Sequence, residues 1–349
     1  MRASFSGRNT HDVQHHQTGG VLKSLIVFFL AIGLLAGIAI CAGGYFAYNE
    51  AKRPGPLEKE TIVLLKSGMS VASIAEELSS AGAIRHTQLF IAVTRWKDLG
   101  SKLKAGEYSL PAGASVFDLV DILVEGKSIL HKFTAAEGLT TVQIIRALNE
   151  NDVLLGGVSL VLDEGVLLPE TYSFTRGSTR DQILKDMMAA QEAVIEELWN
   201  DRAVELPFST PEEAIILASI VEKETGIAGE RPRIASVFVN RLRRGMRLES
   251  DPTIIYGLTK GEPLGRGIRL SELRGKTPYN TYIIDGLPPT PIASPGRASI
   301  EAVLNPASTD DIFFVADGSG GHAFAPTLRE HNRNVARWRQ VERARQSDG

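Results

Sequence analysis

The sequence predicts an α+β fold that follows a single membrane-spanning helix. Strand-like and helix-like segments are mixed along the chain without strict alternation, which disfavours a doubly wound parallel sheet. About 300 residues follow the apolar N-terminal stretch, enough for two packed units. The 349-residue chain has a net charge of −3 and no basic stripe, which argues against nucleic-acid binding.

An uncharged apolar stretch from Ser24 to Tyr48 is the predicted transmembrane helix. Its roughly 25 residues rise about 37 Å as a helix, more than the roughly 30 Å hydrocarbon core of a bilayer. It is longer than the apolar part of a cleaved signal peptide and shows no small-residue cleavage site. We therefore predict a polar, disordered tail at 1–23 and a linker at 49–57.

Cys41, the single cysteine, lies within this stretch. A lipid-modified cysteine would follow a small residue, whereas the sequence here is Ile38-Ala-Ile-Cys41, so we predict inert packing in the membrane. One cysteine cannot form an internal disulfide. The seven histidines show no metal-ligand spacing, and we predict neither a metal site nor a cofactor.

The segment 58–130 is predicted to form a small α/β subdomain. It contains the strand-like run Thr61–Leu65 and amphipathic stretches at 74–78 and 88–96. A Gly-x-Ser/Thr phrase recurs where a turn leads into a helix, and its hydroxyl residue is predicted to cap that helix. The phrases begin at Gly68, Gly113 and Gly138 and place Ser70, Ser115 and Thr140 at the caps.

The segment 131–340 is predicted to be a larger, mixed α+β domain, followed by a tail at 341–349. The predicted strands cover 129–135, 312–316 and 322–324. The predicted helices cover 182–199, 211–225, 232–244 and 326–345.

The helix predicted at 211–225 has clear start and stop signals. Thr210 is a cap residue, Pro211 suits the first helical position and Glu213 supplies a carboxylate at the third. Gly226 is predicted to end the helix in the left-handed conformation.

Helical spacing places Glu224 on the same apolar stripe as Leu217 and Val221. Burial of an ionised carboxylate is costly and raises its pKa, which suits a proton donor near neutral pH. Pairing of a buried glutamate with an arginine is the structural alternative, because several arginines follow. These are Arg231, Arg241, Arg243 and Arg244. Glu222 falls on the flank of the stripe and is predicted to be solvated.

Further motifs lie on both sides of this helix. In chain order they are Glu164-Gly165, Leu168-Pro-Glu-Thr-Tyr172, the run from Glu230 to Gly245, Met246-Arg-Leu-Glu-Ser-Asp-Pro-Thr-Ile-Ile-Tyr-Gly257, Thr277-Pro-Tyr-Asn-Thr-Tyr282, the run from Asp285 to Gly296, Asn305-Pro306, Phe313-Phe-Val-Ala-Asp317, Gly321-His-Ala-Phe324 and His331-Asn332. With Val221-Glu-Lys-Glu224, they closely resemble the YceG-like endolytic murein transglycosylases over roughly residues 58–340.

The resemblance implies that Glu224, the second acid of Val221-Glu-Lys-Glu224, is catalytic, and the stripe selects the same residue. It also implies a lyase that cuts the MurNAc-β-1,4-GlcNAc bond inside nascent peptidoglycan strands, forming 1,6-anhydroMurNAc ends and terminating elongation. Ordinary glycosidases need two carboxylates. With the muramic acid C6 hydroxyl as nucleophile, one glutamate can donate and then retrieve a proton.

Polar and aromatic side chains after Glu224 are candidates for substrate binding. They are Asn240, Arg241, Ser250, Asp251, Tyr256, Tyr279, Asn280, Thr281 and Tyr282. Ordinary packing with a satisfied hydroxyl is the alternative for each tyrosine. Asp251 is interpreted first as an N-cap ahead of a short helix. The proline-rich run 286–296 is predicted to be a rigid loop and one wall of the groove.

Basic residues flank the apolar stretch on both sides, so charge does not set its orientation. The resemblance implies a cytoplasmic N-terminus and a periplasmic body at a bacterial inner membrane. The implied partners are peptidoglycan strands and the penicillin-binding proteins that synthesise them. The segment 58–130 resembles a LysM-like module, which in other wall proteins grips N-acetylglucosamine chains; the alternative is a scaffold that only packs on the catalytic domain.

Two other functions stay open at this point. A hydrolytic muramidase would share the glutamate but need a second acid to activate water. A non-catalytic peptidoglycan-binding scaffold of the wall-synthesis machinery would need no acid at all.

Overall fold

A computed structural model describes residues 18–347, so residues 1–17 of the tail predicted at 1–23 lie outside the described residues. The chain forms two compact units, divided between Ile129 and Leu130. Helices predominate, and the strands of the described part form three two-stranded antiparallel sheets. The predicted α+β class is therefore confirmed.

The first unit contains one long apolar helix and a small α/β core. Its elements are α1 (Thr18–Lys52), β1 (Thr61–Leu65), α2 (Val71–Ser80), α3 (Thr87–Trp96), β2 (Gly106–Leu110) and α4 (Val116–Glu125). Strand β1 pairs antiparallel with β2, so that Thr61 lies opposite Leu110. Apolar residues from all three short helices and both strands form the core.

Helix α1 is long and apolar enough to cross a membrane. It extends beyond the predicted bounds at both ends, because residues 18–23 and 49–52 are also helical. The helix ends two residues before Pro54, which disfavours a helical conformation in the residue that precedes it.

The three predicted hydroxyl caps are confirmed. Ser70, Ser115 and Thr140 each accept a hydrogen bond from the backbone N–H three residues later. The glycine two residues before each cap has a positive φ, of 83°, 67° and 75° in chain order. Only glycine adopts this conformation without steric cost, which explains why the phrase begins with it.

The second unit contains the remaining strands and helices. They are β3 (Leu130–Thr134), α5 (Thr141–Asn149), β4 (Thr171–Thr175), α6 (Arg180–Asn200), α7 (Pro211–Glu224), α8 (Arg231–Arg243), α9 (Asp251–Thr259), α10 (Leu270–Leu273), α11 (Arg297–Leu304), β5 (Phe313–Ala316), β6 (His322–Ala325) and α12 (Leu328–Ser347). Leu130 lies opposite Thr175 in the β3–β4 pair, and Phe313 lies opposite Ala325 in the β5–β6 pair. The run 286–296 has no helix or strand, as predicted.

Helix α7 is the centre of this unit. Residues 214–221 are all buried, and α8, α9 and α11 pack around them. A helix buried on every side is hydrophobic all round, which explains why its apolar run has no clean polar face. Glu224 is therefore the last residue of a helix whose central residues are all buried.

Candidate active site

The start of α7 follows the prediction, and its end does not. Thr210 and Glu213 form a reciprocal capping box, with Pro211 in the first turn. The helix ends at Glu224, and Thr225 caps it in an extended conformation with φ −143°. The predicted left-handed end at Gly226 is wrong. The chain instead turns to an extended conformation at Thr225, so Glu224 is the last helical residue of α7.

Glu224 is partly buried and is engaged by one strong hydrogen bond. The Ser250 hydroxyl donates to its Oε1 at 2.5 Å. The pKa of the Glu224 carboxyl is raised to about 7, chiefly by burial and in smaller part by the nearby Asp251 carboxylate. The Ser250 bond, together with the charges of His322 and Arg241, lowers the same pKa. A carboxyl group with this pKa can both donate and accept a proton near neutral pH.

None of the ion pairs between described side chains includes Glu224. Arg231 pairs with Glu137 and Glu222 instead, and Arg241 pairs with Glu249. The structural alternative of an arginine-paired Glu224 is therefore wrong.

Glu222 is not solvated, which corrects the prediction for the flank of the helix. Its side chain is 5 % exposed, and its carboxylate accepts a hydrogen bond from the Gly296 N–H at 2.9 Å. Arg231 lies 3.5 Å from the same carboxylate. The loop before α11 covers this flank of the helix. Glu222 therefore bonds the Gly296 backbone N–H instead of water.

Ser250, which bonds Glu224, is itself in contact with Thr281. The Thr281 hydroxyl accepts a hydrogen bond from the Ser250 N–H at 2.9 Å, and Thr253 contacts it at the same distance. Both predicted residues are almost fully buried. The contacts with Thr281 hold Ser250 in place, and thereby hold its hydroxyl in position to bond Glu224.

Asp251 is the first residue of α9, and the N-cap position belongs to Ser250, so the predicted capping role of Asp251 is wrong. Its exposed carboxylate accepts a hydrogen bond from the Tyr282 hydroxyl at 2.8 Å. Burial, with a contribution from Asp251, raises the pKa of Tyr282, so the phenol stays protonated. The predicted residues Asp251 and Tyr282 thus form a polar pair next to Ser250.

Asn240 and Arg241 are buried and bind backbone carbonyls. Asn240 donates to Thr309 and Asp311, at 2.7 and 3.0 Å. Arg241 donates to Ile312 at 2.7 Å and to the carbonyls of Arg247 and Leu248, both at 3.1 Å. These contacts attach the chain before α9 and before β5 to α8. The structure gives both residues a supporting position.

Asn280 has a similar role in the loop after α10. It is buried, and its amide donates to the carbonyls of Glu272, Leu273 and Gly275 at 2.7 to 3.3 Å. Its side-chain oxygen accepts from the Tyr282 N–H at 3.0 Å. Asn280 therefore shapes the loop that carries Tyr282.

Tyr256 and Tyr279 contact each other edge to face, with ring centroids 5.0 Å apart. The Tyr256 hydroxyl donates to Glu164 at 3.4 Å, and the Tyr279 hydroxyl bonds Thr290 at 2.9 Å. Burial raises the pKa of the Glu164 carboxyl. Lys260 lies over both rings, 4.5 Å from the centroid of Tyr279. Both hydroxyls are therefore satisfied within the protein, as the packing alternative proposed.

A groove of about 700 Å³ lies at the other end of α7. Pro289–Pro291 form part of its wall, opposite the first turns of α7. Ile216 also lines it, eight residues or about 12 Å along the helix from Glu224. The proline-rich loop thus borders a groove that is separated from the glutamate by about two turns of helix.

Glu230 and His322 are the site residues that sequence reasoning did not select. Glu230 accepts hydrogen bonds from the His322 backbone N–H at 2.8 Å and from the Thr225 hydroxyl at 3.3 Å. One of its carboxylate oxygens lies 2.7 Å from the His322 Nδ1. Burial raises the pKa of Glu230, but these hydrogen bonds lower it by more. The pair connects the residue after Glu224 to β6.

The sequence contains both residues in recognisable motifs, but it does not indicate that they pair. Both residues lie in runs that carry the family resemblance, but they are separated by more than 90 positions. Only the fold brings them together. In the described part of the chain, no group of three or more His, Cys, Asp or Glu side chains could hold a metal ion.

Comparisons with known proteins point to one family. The family model described as the YceG-like family matches residues 63–337. A Bacillus subtilis protein named endolytic murein transglycosylase is 29 % identical over 328 residues, which cover 83 % of this chain and 89 % of that protein. A Streptococcus pneumoniae protein of the same name is 29 % identical over 368 residues, which cover 90 % of this chain and 65 % of that protein.

A crystal structure of a yceG-like protein from Listeria monocytogenes is also similar, with 29 % identity and a TM-score of 0.49. The match covers 79 % of this chain and 99 % of that one. The chain spans about two thirds of the length of the pneumococcal relative, which is the longer protein. Because the family model covers most of the sequence, the chain belongs to the YceG-like family.

Proposed function

We propose that this protein is a membrane-anchored endolytic lytic transglycosylase that cuts peptidoglycan strands. The observation that carries the proposal is Glu224, a partly buried carboxyl at the end of a helix with a buried centre, with its pKa raised to about 7, chiefly by burial. Relatives that carry the name endolytic murein transglycosylase support the same function.

In the proposed reaction, protonated Glu224 donates its proton to the glycosidic oxygen between N-acetylmuramic acid and N-acetylglucosamine. The bond from that oxygen to C1 of the muramic acid breaks, and the C6 hydroxyl oxygen of the same sugar bonds to C1. The Glu224 carboxylate accepts the C6 proton, which restores the acid. The products are a 1,6-anhydro end and a free 4-hydroxyl, and no water is consumed.

Ser250 supports both halves of this cycle. Its hydroxyl, held by the contact of Thr281 with the Ser250 backbone, donates to Glu224 and stabilises the carboxylate that forms when the proton leaves. Since burial has already raised the pKa of Glu224 to about 7, this carboxylate is basic enough to take the C6 proton.

Asp251 favours a second candidate, a hydrolytic muramidase. Its exposed carboxylate follows Ser250 in the chain and interacts with Glu224 strongly enough to raise the pKa of that residue. A second carboxylate near the acid is what water activation requires. The Tyr282 hydroxyl donates a hydrogen bond to one Asp251 oxygen at 2.8 Å, which weakens this candidate because that oxygen is already engaged within the protein.

Product analysis separates these possibilities. The full chain in detergent is incubated with intact peptidoglycan, and released muropeptides are identified by mass spectrometry. We expect 1,6-anhydro ends from the wild type and none from Glu224→Gln. Glu212→Gln is the matched control, since Glu212 is an exposed glutamate of the same helix. Ordinary reducing ends would indicate the muramidase, and strand binding without cleavage would indicate the non-catalytic scaffold.

The proposal includes the anchor and the partners. Helix α1 would span the inner membrane with the N-terminus in the cytoplasm, leaving the chain after α1 in the periplasm. Only eight residues separate Lys52 from Thr61 at the start of β1, a reach of about 28 Å when fully extended. Cleavage would therefore occur close to the membrane, beside the penicillin-binding proteins that produce new strands. A LysM-like grip of the first unit on N-acetylglucosamine chains belongs to the same proposal.

A further inference from the structure

Three aromatic rings meet where the C-terminal part of α1 packs against α3 and α4. Tyr48 of α1 lies 6.4 Å from Trp96 of α3 and 5.6 Å from Phe117 of α4, measured between ring centroids. Trp96 and Phe117 are 6.5 Å apart. We call Tyr48, Trp96 and Phe117 the aromatic face. Trp96 is 71 % exposed, an unusual state for the largest apolar side chain.

The aromatic face borders a groove of about 320 Å³ between α1, α3 and α4. The lining residues are Gly44, Ala47, Tyr48, Leu89, Ala92, Val93, Trp96 and Phe117. This lining contains no charged side chain, and its polar side-chain groups are the tyrosine hydroxyl and the indole N–H. A sugar chain would need more hydrogen-bonding groups than this, whereas hydrocarbon needs none.

The length of the apolar stretch places this groove at the edge of the bilayer. About 20 helical residues cross the hydrocarbon core, so residues 24–43 suffice. Gly44 to Tyr48 then lie in the interfacial layer, where tryptophan and tyrosine are enriched because their rings are amphipathic. The part of α3 that packs against Tyr48 must lie at the same depth.

Two lysines lie next to the aromatic face. The Lys52 ammonium lies 5.1 Å from the Tyr48 ring, and the Lys97 ammonium lies 4.9 Å from the Phe117 ring. Lys97 also contacts Asp121 at 3.2 Å, in a pair that is partly exposed. Aromatic rings with adjacent lysines are the usual composition of a membrane interface.

We propose that the aromatic face is embedded in the membrane interface and that a lipid acyl chain occupies its groove. The first unit is thus held against the bilayer by two contacts, the α1 helix and Trp96 with its neighbours. This inference rests on the membrane anchoring described above, but it does not depend on the reaction that Glu224 performs.

Fluorescence of Trp96 tests the proposal directly. Trp199→Phe and Trp338→Phe leave Trp96 as the sole tryptophan of the full chain, which is reconstituted in lipid nanodiscs that hold one copy. Bromine atoms on the acyl chains quench tryptophan on contact. We expect blue-shifted Trp96 emission and a loss of emission that is largest for bromines near the headgroup. A chain that retains only Trp199, whose ring is covered by Arg202, measures background quenching.

A substitution in the groove provides the matched test. Leu89→Asp places a carboxylate among the lining residues, so we expect quenching of Trp96 to fall. Gln88→Asp, the exposed neighbour outside the lining, should leave quenching unchanged.

Three results would overturn the proposal. Unquenched, red-shifted emission would show that Trp96 faces water, and a further change on adding soluble glycan would assign the aromatic face to sugar. Unquenched, blue-shifted emission would show that protein covers it. A chain that does not enter nanodiscs would remove the anchoring on which the inference rests. Peptidoglycan cleavage measured on the same samples reports on the enzymatic proposal separately, because quenching needs no turnover.

Discussion

The hydroxyl of Ser250 donates a hydrogen bond of 2.5 Å to the carboxyl of Glu224, across 26 residues of sequence. Burial acts on this carboxyl in the opposite direction from the hydrogen bond, because burial favours the protonated form and the donated bond favours the carboxylate. The balance leaves the pKa at about 7. The pKa of Glu224 is therefore governed chiefly by two competing contributions that can be altered separately.

Removal of the Ser250 hydroxyl should raise the pKa of Glu224 further. Ser250→Ala removes the hydrogen bond that favours the carboxylate, and such bonds contribute about 1.5–3 kcal/mol, or roughly one to two pKa units. In the proposed reaction Glu224 must be protonated to cleave, so we expect the alkaline limb of kcat/KM to move to higher pH. Ser236→Ala is the control, since it removes a buried hydroxyl that bonds Thr309 instead. An alkaline limb that moved down would contradict the assignment.

Glu224 should destabilise the folded protein at alkaline pH. Its folded pKa of about 7 exceeds the ordinary value of 4.5, so deprotonation is harder in the folded state. The contribution of protonated Glu224 to the free energy of unfolding is fully present below pH 4.5 and is lost as the pH rises through 7. At 1.36 kcal/mol per pKa unit, the loss is about 3 kcal/mol.

Glu224→Gln removes this titration. We expect the variant to be more stable than the wild type at pH 8 by up to about 3 kcal/mol, and the difference to vanish near pH 4. Denaturant unfolding of the full chain in detergent at several pH values measures it. Glu212→Gln reports the same charge change at an exposed position of α7. A pH-independent difference would show that burial does not raise the pKa of Glu224.

Arg241 should matter for stability rather than for substrate affinity. Arg241→Lys loses the guanidinium fork that reaches Ile312, Leu248 and Glu249, and we expect a loss of about 2 kcal/mol in the free energy of unfolding. The KM for glycan should change little at temperatures where the variant stays folded. Arg244→Lys, at an exposed position of the same region, is the control. A raised KM with unchanged stability would return Arg241 to the substrate-binding set.

The proposed membrane anchoring by α1 should restrict where strands are cut. Replacement of Ser24–Tyr48 by a cleavable secretion signal would release the protein into the periplasm, and we expect longer glycan strands in those cells because the enzyme no longer stays beside strand synthesis. Strand lengths are measured by chromatography of the isolated glycan. A chain with an unrelated transmembrane helix should restore normal lengths. Normal lengths with the freed protein at native abundance would show that the anchor is irrelevant.

Local signals determined much of this structure. The Thr210 and Ser70 caps, the apolar α1 helix and the position of Glu224 at the end of a buried helix follow from residues close together in the chain. Such features depend on backbone hydrogen bonds and periodicity within about four residues, which the sequence displays directly.

Features that depend on distant residues were decided only by the tertiary structure. Glu222 is buried because Gly296, 74 positions later, covers it, and no local pattern indicates that contact. The sequence suggests that Asn240 and Arg241 are exposed ligands for substrate. In the structure both are buried and donate hydrogen bonds to backbone carbonyls within 309–312.

The Glu230–His322 pair and the Ser250–Glu224 bond arise in the same way, since each joins residues brought together only by packing. The sequence by itself selected Glu224 as the candidate acid and predicted the helix that carries it. The tertiary structure decided its environment, because burial and long-range hydrogen bonds, which set the pKa of Glu224, are properties of the packed chain.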